Sequence, residues 1–302
     1  MSTKAKVFLG LGIYLAGAIV ITLLIPSEGK NEGFQPQNEF KLEPWIDINL
    51  GGIDLSINKA VVYLFLAAAL TIGVMVWIAR RMAQKPNATQ TAVELAYDLV
   101  DKQITRDNLD EKMSSRWFPF LATLFFFIWF SNMIGLMPLP FNTEHTTSLF
   151  GLDVPSLGLY AATANISIPL LLTLIVWFSY HIEGIKKHGF VGYLGTWLPA
   201  GLETMHPIGK GAIWVIEAIS HTVRLISLSV RLFANILAGH LLLLFMGGGL
   251  AVLLGLAALG VLTFPLAFAF YIFEIGLVAT LQAFIFSILT AIYLGGATAD
   301  SH

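Results

Sequence analysis

The stretch SLSVRLFANILAGHLLLLF, residues 227–245, contains Arg231 and, nine residues later, His240 within an otherwise apolar run. Leucine, isoleucine, valine, alanine and phenylalanine fill most of the other positions, which is typical of a membrane-spanning helix. A charged arginine at the centre of a bilayer costs at least about 2.5–3.5 kcal/mol. We therefore expect the Arg231 side chain to face a partner or water rather than lipid.

A polar stripe runs along the helix that contains Arg231. At about 100° per residue, six polar side chains fall on one face, and they cover about 27 Å of the helix axis. The members of this polar stripe are Glu217, Ser220, Arg224, Ser227, Arg231 and Asn235. His240 falls about half a turn away from Arg231. Polar groups on two opposite sides at neighbouring depths predict two aqueous approaches that meet near Arg231 without joining.

The residue types suggest different tasks for the intramembrane charges. A guanidinium stays protonated at biological pH, so Arg231 can attract and discharge an acid on a moving partner but cannot carry the proton. Histidine and glutamate suit proton relay, and the candidates are His240 and Glu274, an acid inside the last predicted span. In the competing structural interpretation, Arg231 pairs with a carbonyl or with Glu274, Arg224 snorkels to the surface, and His240 is a packed neutral side chain.

The composition indicates a membrane protein. Of 302 residues, 56% are hydrophobic and 12% are charged, whereas soluble domains average about 25% charged residues. The absence of cysteine excludes disulfides, thiolate metal sites and thiol catalysis. The seven histidines are scattered and the sequence holds no glycine-rich phosphate loop. We therefore expect no metal, no cofactor, no nucleic-acid partner and no enzymatic activity of the chain alone, so any nucleotide chemistry belongs to partner chains.

The apolar runs predict an all-α polytopic membrane protein with about five to six membrane helices. The last two runs exceed about 50 Å as helices, too long to stand upright in a hydrocarbon core of about 30 Å. We expect a strongly tilted hairpin that turns at the glycines 247–249 and is bent or broken at Pro265. The predicted spans are Val7–Ile25, Ala60–Ala79, Phe118–Met137, Leu157–Tyr180, Ala212–Met246 and Leu250–Leu294.

Three segments follow from this pattern. Residues 1–25 are an N-terminal anchor or a signal segment, residues 26–59 are a polar external segment, and residues 60–298 form a membrane channel domain. Residues 88–104 have amphipathic spacing with Asn87 as N-cap, which predicts a helix on the membrane surface. Segments 80–116 and 181–211 hold seven and three Lys or Arg residues, which places them on the inner side.

Two motifs together resemble the a subunit of F-type ATP synthases. The first is SLSVRLFANILAGH, residues 227–240, and the second is LQAFIFSILTAIY, residues 281–293, which is similar to that family's closing helix. The order of the spans and the surface helix also fit, and the resemblance covers roughly residues 30–295. Some members have an acid nine residues after the arginine and a histidine on the last helix. Here His240 and Glu274 have the exchanged arrangement, and Glu274 precedes Gln282 by eight residues where the family has seven.

The resemblance implies a site and a function. Arg231 would be the essential charge facing the carboxylates of a rotating c-ring, with Asn235 and Gln282 as polar neighbours. His240 and Glu274 would belong to the outer half-channel and Glu217 to the inner one. The chain would be the proton-translocating stator subunit of the F0 sector, with an arginine barrier between two offset half-channels.

The same resemblance implies partners and a location. The partners would be the c-subunit ring, b-type peripheral stalk subunits, the F1 sector and the lipid bilayer. The membrane would be a bacterial inner membrane, and both H⁺ and Na⁺ stay open as the transported ion. The alternatives are a secondary transporter or anion channel that binds an anion at Arg231, and a membrane scaffold. The missing repeats and the absence of proline between residues 212 and 246 disfavour the transporter. The polar stripe and Glu274 disfavour the scaffold.

Overall fold

The computed structural model describes most of the chain after residue 39 and forms two units. The described residues are 40–42, 44–51, 53–81, 86–139, 146–149, 152–155, 159–198, 206–249 and 257–299, with five further positions between 12 and 20. The first unit comprises Met1–Lys59, Gly135–Tyr160 and Leu237–Val278, and the second comprises Ala60–Ile134, Ala161–Ile236 and Ala279–His302. The predicted span Val7–Ile25 lies almost wholly outside the described residues, and the three-segment division stays a prediction.

Helices dominate the described residues. In chain order they are α1 (Lys59–Arg81), α2 (Ala88–Asp98), α3 (Glu111–Gly135), α4 (Ser167–His188), α5 (Phe190–Thr196), α6 (Pro207–Leu244), α7 (Ala257–Phe273) and α8 (Ala279–Thr298). A short 3-10 turn, Ala162–Ala164, precedes α4. Three π-helical segments continue helices at their C-terminal ends, namely Leu99–Arg106 after α2, Phe245–Gly249 after α6 and Glu274–Val278 after α7.

The strands are short and belong to the first unit. They are β1 (Pro44–Ile46), β2 (Asn49–Leu50), β3 (Ile53–Asp54), β4 (Ile57–Asn58), β5 (Thr146–Leu149) and β6 (Leu152–Pro155). They form antiparallel pairs β1–β4, β2–β3 and β5–β6. With α-helices of 7 to 38 residues against strands of two to four, the predicted all-α class is confirmed.

Five helical stretches of the described chain are long and apolar enough to cross a membrane. They are Lys59–Arg81, Glu111–Gly135, Ser167–His188, Pro207–Leu244 and Thr263–Thr298. The fourth contains 38 residues, or about 57 Å at 1.5 Å per residue, so it exceeds an upright crossing of about 30 Å. The chain is a multi-pass membrane protein, and the tilt of its last two stretches stays a prediction.

Local signals explain where several helices begin and end. The Asn87 side chain accepts a hydrogen bond of 2.8 Å from the Gln90 backbone N–H, so the predicted N-cap of α2 is confirmed. Helix α4 extends through Lys186, Lys187 and His188 before Gly189, at φ 73°, ends it. Basic side chains stabilise the last turn because they oppose the partial negative charge of the helix C-terminus.

Two predicted boundaries were wrong, and a third was wrong in part. The span expected at 157–180 is a helix over Ser167–His188, because the Asn165 side chain accepts from the Ser167 backbone N–H at 3.0 Å and starts the helix there. Pro265 lies inside α7 and does not break it, so of the predicted bend or break only the bend stays a prediction, and the departure from α-helical geometry begins at Glu274. The glycines 247–249, predicted as the turn of the hairpin, belong to the π-helical segment Phe245–Gly249.

The core of the second unit lies where α8 packs against α4 and against the π-helical segment Leu99–Arg106. Buried side chains fill this core, among them Ile104, Val176, Ala283 and Phe286. Polar contacts then fix the helices: Arg116 pairs with the buried Glu183 at 2.5 Å, and Lys187 donates to the Thr298 carbonyl at 2.5 Å. Further hydrogen bonds join Trp129 to Thr280 and Thr163 to Asn132.

Two adjacent glycines of α8 provide a matched test of this packing. A Cβ at Gly295 would lie 2.5 Å from the Asn108 carbonyl oxygen, whereas a Cβ at Gly296 would meet no atom within 4 Å. Alanine gains the same helix propensity at both positions, so the difference between the variants isolates the close approach. We expect Gly295→Ala to cost about 1–3 kcal/mol and Gly296→Ala to cost nothing. Thermal unfolding of the purified complex in detergent measures this as a lower Tm, and equal Tm values would contradict it.

Candidate functional site

Arg231 lies on the exposed face of α6. Its predicted neighbours on that face, Ser227 and Asn235, are exposed as well, whereas Leu228 and Leu232 on the adjoining flank of the helix are buried. Among the described residues, Arg231 takes part in no hydrogen bond or ion pair. A guanidinium without an internal partner on an apolar helix needs a group from outside this part of the chain.

The surface around Arg231 is apolar. Ile219, Val223, Ile226 and Val230 are large exposed side chains spaced three or four residues apart. A shallow groove of about 400 Å³ is lined by Val223, Ile226, Ser227, Val230 and Arg231. This outward face of α6 therefore combines one permanent charge with a continuous apolar surface.

The other end of the polar stripe lines a cavity of about 480 Å³ in the second unit. Its walls are Tyr193, Thr196, Trp197, Glu217, His221, Arg224, Ile292, Tyr293, Gly296 and Ala297. Glu217 and Arg224 form an ion pair of 2.9 Å, and the Arg224 guanidinium lies 5.6 Å from the centre of the Tyr293 ring. Glu217 thus lines this cavity and is paired there with Arg224, for which the competing structural interpretation gave a snorkelling position at the surface.

His240 and Glu274 both belong to the first unit and both are buried. The His240 Nε2 atom lies 2.9 Å from the carbonyl oxygen of Gly135. Gly239, next to His240, lies directly against the Glu274 carboxylate, where a Cβ would overlap the carboxyl atoms. The structure therefore brings the backbone beside His240 into contact with Glu274.

A π-helical segment begins at Glu274 and explains its spacing. Residues Glu274–Val278 have i→i+5 hydrogen bonding, which accommodates one extra residue within a helix. The eight residues from Glu274 to Gln282 therefore correspond in rotation to about seven on a regular α-helix. Such π-helical turns occur often at functional sites.

The remaining predicted site residue, Gln282, lies on α8 in the second unit. It is buried, whereas Arg231 and Asn235 are exposed, and no hydrogen bond joins it to either within the described residues. Over the same residues, no group of three or more His, Cys, Asp or Glu side chains is placed to hold a metal ion.

Sequence analysis missed a cluster of histidine and aromatic side chains beside the Glu217 cavity. This histidine–aromatic cluster consists of Tyr180, His181, Tyr193, Trp197 and His221. Tyr180 bonds His221 at 3.2 Å, and Tyr193 bonds His181 at 2.7 Å. One signal was present in the sequence, because His221 follows Glu217 by four residues and so lies one turn along from it.

Comparisons with known proteins agree with these observations. A family model described as "ATP synthase A chain" matches residues 61–295. Relatives named ATP synthase subunit a include those of Rubrobacter xylanophilus, 36% identical over 260 residues (83% of this chain and 88% of the relative), and of Frankia alni, 34% identical over 276 residues (89% and 88%). The relative of the same name from Beijerinckia indica is 33% identical over 271 residues (88% and 97%). The chain belongs to the ATP synthase A chain family.

Proposed function

We propose that the chain is the stator subunit of the membrane sector of an ATP synthase and conducts ions to a rotating ring of carboxylate-bearing subunits. The observation that carries this proposal is Arg231, an outward guanidinium with no internal partner among the described residues, set in the apolar face of α6. An apolar face slides against a ring of helices, and the guanidinium draws each carboxylate that passes into its charged form.

Two half-channels serve the ring in this proposal. A proton enters on the outer side at His240 and Glu274, neutralises a ring carboxylate, and travels with the ring through the bilayer. It leaves by the inner cavity at Glu217 when the carboxylate approaches Arg231. Asn235 and Gln282 provide polar groups near the arginine, while Arg231 itself blocks direct passage because a guanidinium does not release its proton.

The driving force and the partners follow from this role. A charge that crosses a potential of 100 mV releases about 2.3 kcal/mol, and rotation transmits this energy to nucleotide-binding chains of the F1 sector. Peripheral stalk subunits of the b type hold the chain against the ring. The basic segments 80–116 and 181–211 face the inner side of a bacterial inner membrane, in keeping with the bacterial origin of the relatives.

The anion-channel alternative receives less support. The groove at Arg231 offers Ser227 as its other polar lining residue, and its remaining lining side chains are valine and isoleucine. Anion sites need several convergent donors. The groove fits a helix surface that carries one acid better than it fits a free anion.

Cysteine cross-linking tests the proposed ring contact. The chain contains no cysteine, so Val223→Cys, Ile226→Cys and Val230→Cys each introduce a single thiol on the outward face of α6. With a second cysteine in the ring helix, we expect disulfides at all three positions. Phe178→Cys on α4, equally exposed at 54% against 53% for Val223 and Ile226, is the matched control and should form none. Equal cross-linking at Phe178, or none at the α6 positions, would contradict the proposal.

A further inference from the structure

The histidine–aromatic cluster lies where α4, α5 and α6 meet in the second unit. Its two histidines are 8% and 7% exposed, and their ring centres are 5.1 Å apart. Burial raises the pKa of the Tyr193 hydroxyl above its ordinary value, so Tyr193 stays protonated and bound to His181. The two histidines differ in one respect, since His221 lines the cavity and His181 lies behind it.

His221 joins the buried cluster to the cavity. Its Nδ1 atom lies 3.2 Å from the hydroxyl oxygen of Tyr180, which is 2% exposed. Its Nε2 atom lies 3.8 Å from Glu217 Oε1, a distance that one side-chain rotation or one water molecule closes. In the tautomer whose Nδ1–H donates a hydrogen bond to the Tyr180 hydroxyl, the Nε2 lone pair faces the cavity.

The ion pair in the cavity makes Glu217 a poor proton carrier. Its carboxylate lies 2.9 Å from the permanently charged Arg224 guanidinium, so protonation of Glu217 must first break that pair. The neighbouring imidazole is subject to both charges. The Glu217 carboxylate and the Arg224 guanidinium act on it with opposite signs, and Tyr180, His181 and Trp197 contact it. A neutral imidazole has one donor and one acceptor nitrogen, so His221 can take up a proton without breaking the Glu217–Arg224 pair and is the better carrier.

We propose that His221 carries the translocated proton past the Glu217–Arg224 ion pair on the inner pathway. Nε2 accepts a proton that arrives along the polar stripe, and the resulting imidazolium is stabilised by the Glu217 carboxylate. The same proton then passes from Nε2 to water at the inner end of the cavity, and the neutral ring is restored with Nδ1 bound to Tyr180. Tyr180 is a positioning residue that fixes the ring and its tautomer. This inference rests on the proposed function.

The test compares two buried histidines of one cluster. Complexes with His221→Gln or His181→Gln are reconstituted into vesicles, the F1 sector is removed, and passive proton flux is measured in weak buffer. Glutamine keeps a polar side chain but does not titrate. We expect His221→Gln to slow the flux about tenfold, less than the 10²–10⁴ of general acid–base catalysis because water in the cavity offers a parallel path. Added imidazole buffer should restore the flux, and His181→Gln should conduct like the unmodified complex.

Two outcomes would overturn this role of His221. Equal losses in the two glutamine variants, with no restoration by imidazole, would show a packing role and overturn the inference, as would normal flux in His221→Gln. If His221→Gln does not assemble, Tyr180→Phe replaces it in the test, because it keeps the His221 imidazole and removes the hydroxyl that positions it. A slower flux that imidazole restores supports the inference, and a normal flux overturns it. Arg231→Ala, assayed for ATP-driven pumping in vesicles that keep the F1 sector, separates the two proposals: if it fails to pump while His221→Gln conducts normally, this inference alone fails.

Discussion

Arg231→Ala is expected to abolish ATP-driven proton pumping while the complex still assembles. Assembly should survive because Arg231 makes no hydrogen bond or ion pair within the described part of the chain, so its truncation leaves no buried group unpaired. Pumping should fall about 100-fold or more, as when one preorganised charge is removed from a catalytic site. Acidification of vesicles on ATP addition measures the loss, and the subunit content of the purified complex measures assembly.

The same variant tests the barrier. In the proposed mechanism, protons can pass directly between the two half-channels once the guanidinium is gone, so we expect a faster passive leak than in the unmodified membrane sector. Arg231→Lys is the matched control, since it keeps a cation and loses the planar fork. It should pump poorly but hold the barrier, with a leak close to normal. Arg231→Ala with normal pumping and no leak would mean that the arginine is structural, and the mechanism would be wrong.

The polar stripe and the long helix were predictable because their signals are local. An α-helix repeats every 3.6 residues, so the spacing of Glu217, Arg224 and Arg231 already placed them on one face. The structure pairs Glu217 with Arg224 two turns apart. The partner of Arg231 was not predictable from any pattern in this chain, because in the proposed mechanism its carboxylates belong to another subunit.

The histidine–aromatic cluster and the π-helical segments could not be predicted in the same way. His181 and His221 are 40 positions apart in the sequence, and only the packing of α4 against its neighbours brings their rings within 5.1 Å. The π-helical segment at Glu274 lies in a helix that is apolar on every side, so no hydrophobic period reveals the extra residue. The start of α4 was misplaced because an apolar run at 157–166 is equally compatible with extended chain and 3-10 turn.

Two glycines of α6 provide the sharpest test of the proposed outer half-channel. Gly239→Ala and Gly211→Ala add the same methyl group and gain the same helix propensity, up to about 1 kcal/mol. At Gly211 the methyl meets no atom within 4 Å, whereas at Gly239 it would overlap the Glu274 carboxylate. That carboxylate ends a flexible side chain and can turn away. Gly239→Ala should therefore assemble normally with a displaced Glu274 carboxylate.

We expect Gly239→Ala to lower ATP-driven pumping about 10- to 100-fold, because a displacement of about 1 Å at a reacting group costs up to 10²-fold in rate. Gly211→Ala should pump normally. The double variant Gly239→Ala with Glu274→Asp removes one methylene from the acid and makes room for the new methyl group, so it should pump faster than Gly239→Ala alone. Loss of pumping in Gly211→Ala as well would indicate a general effect on α6. Normal pumping in Gly239→Ala would show that proton entry does not depend on the position of the Glu274 carboxylate, because the added methyl group leaves that carboxylate no room where it now lies.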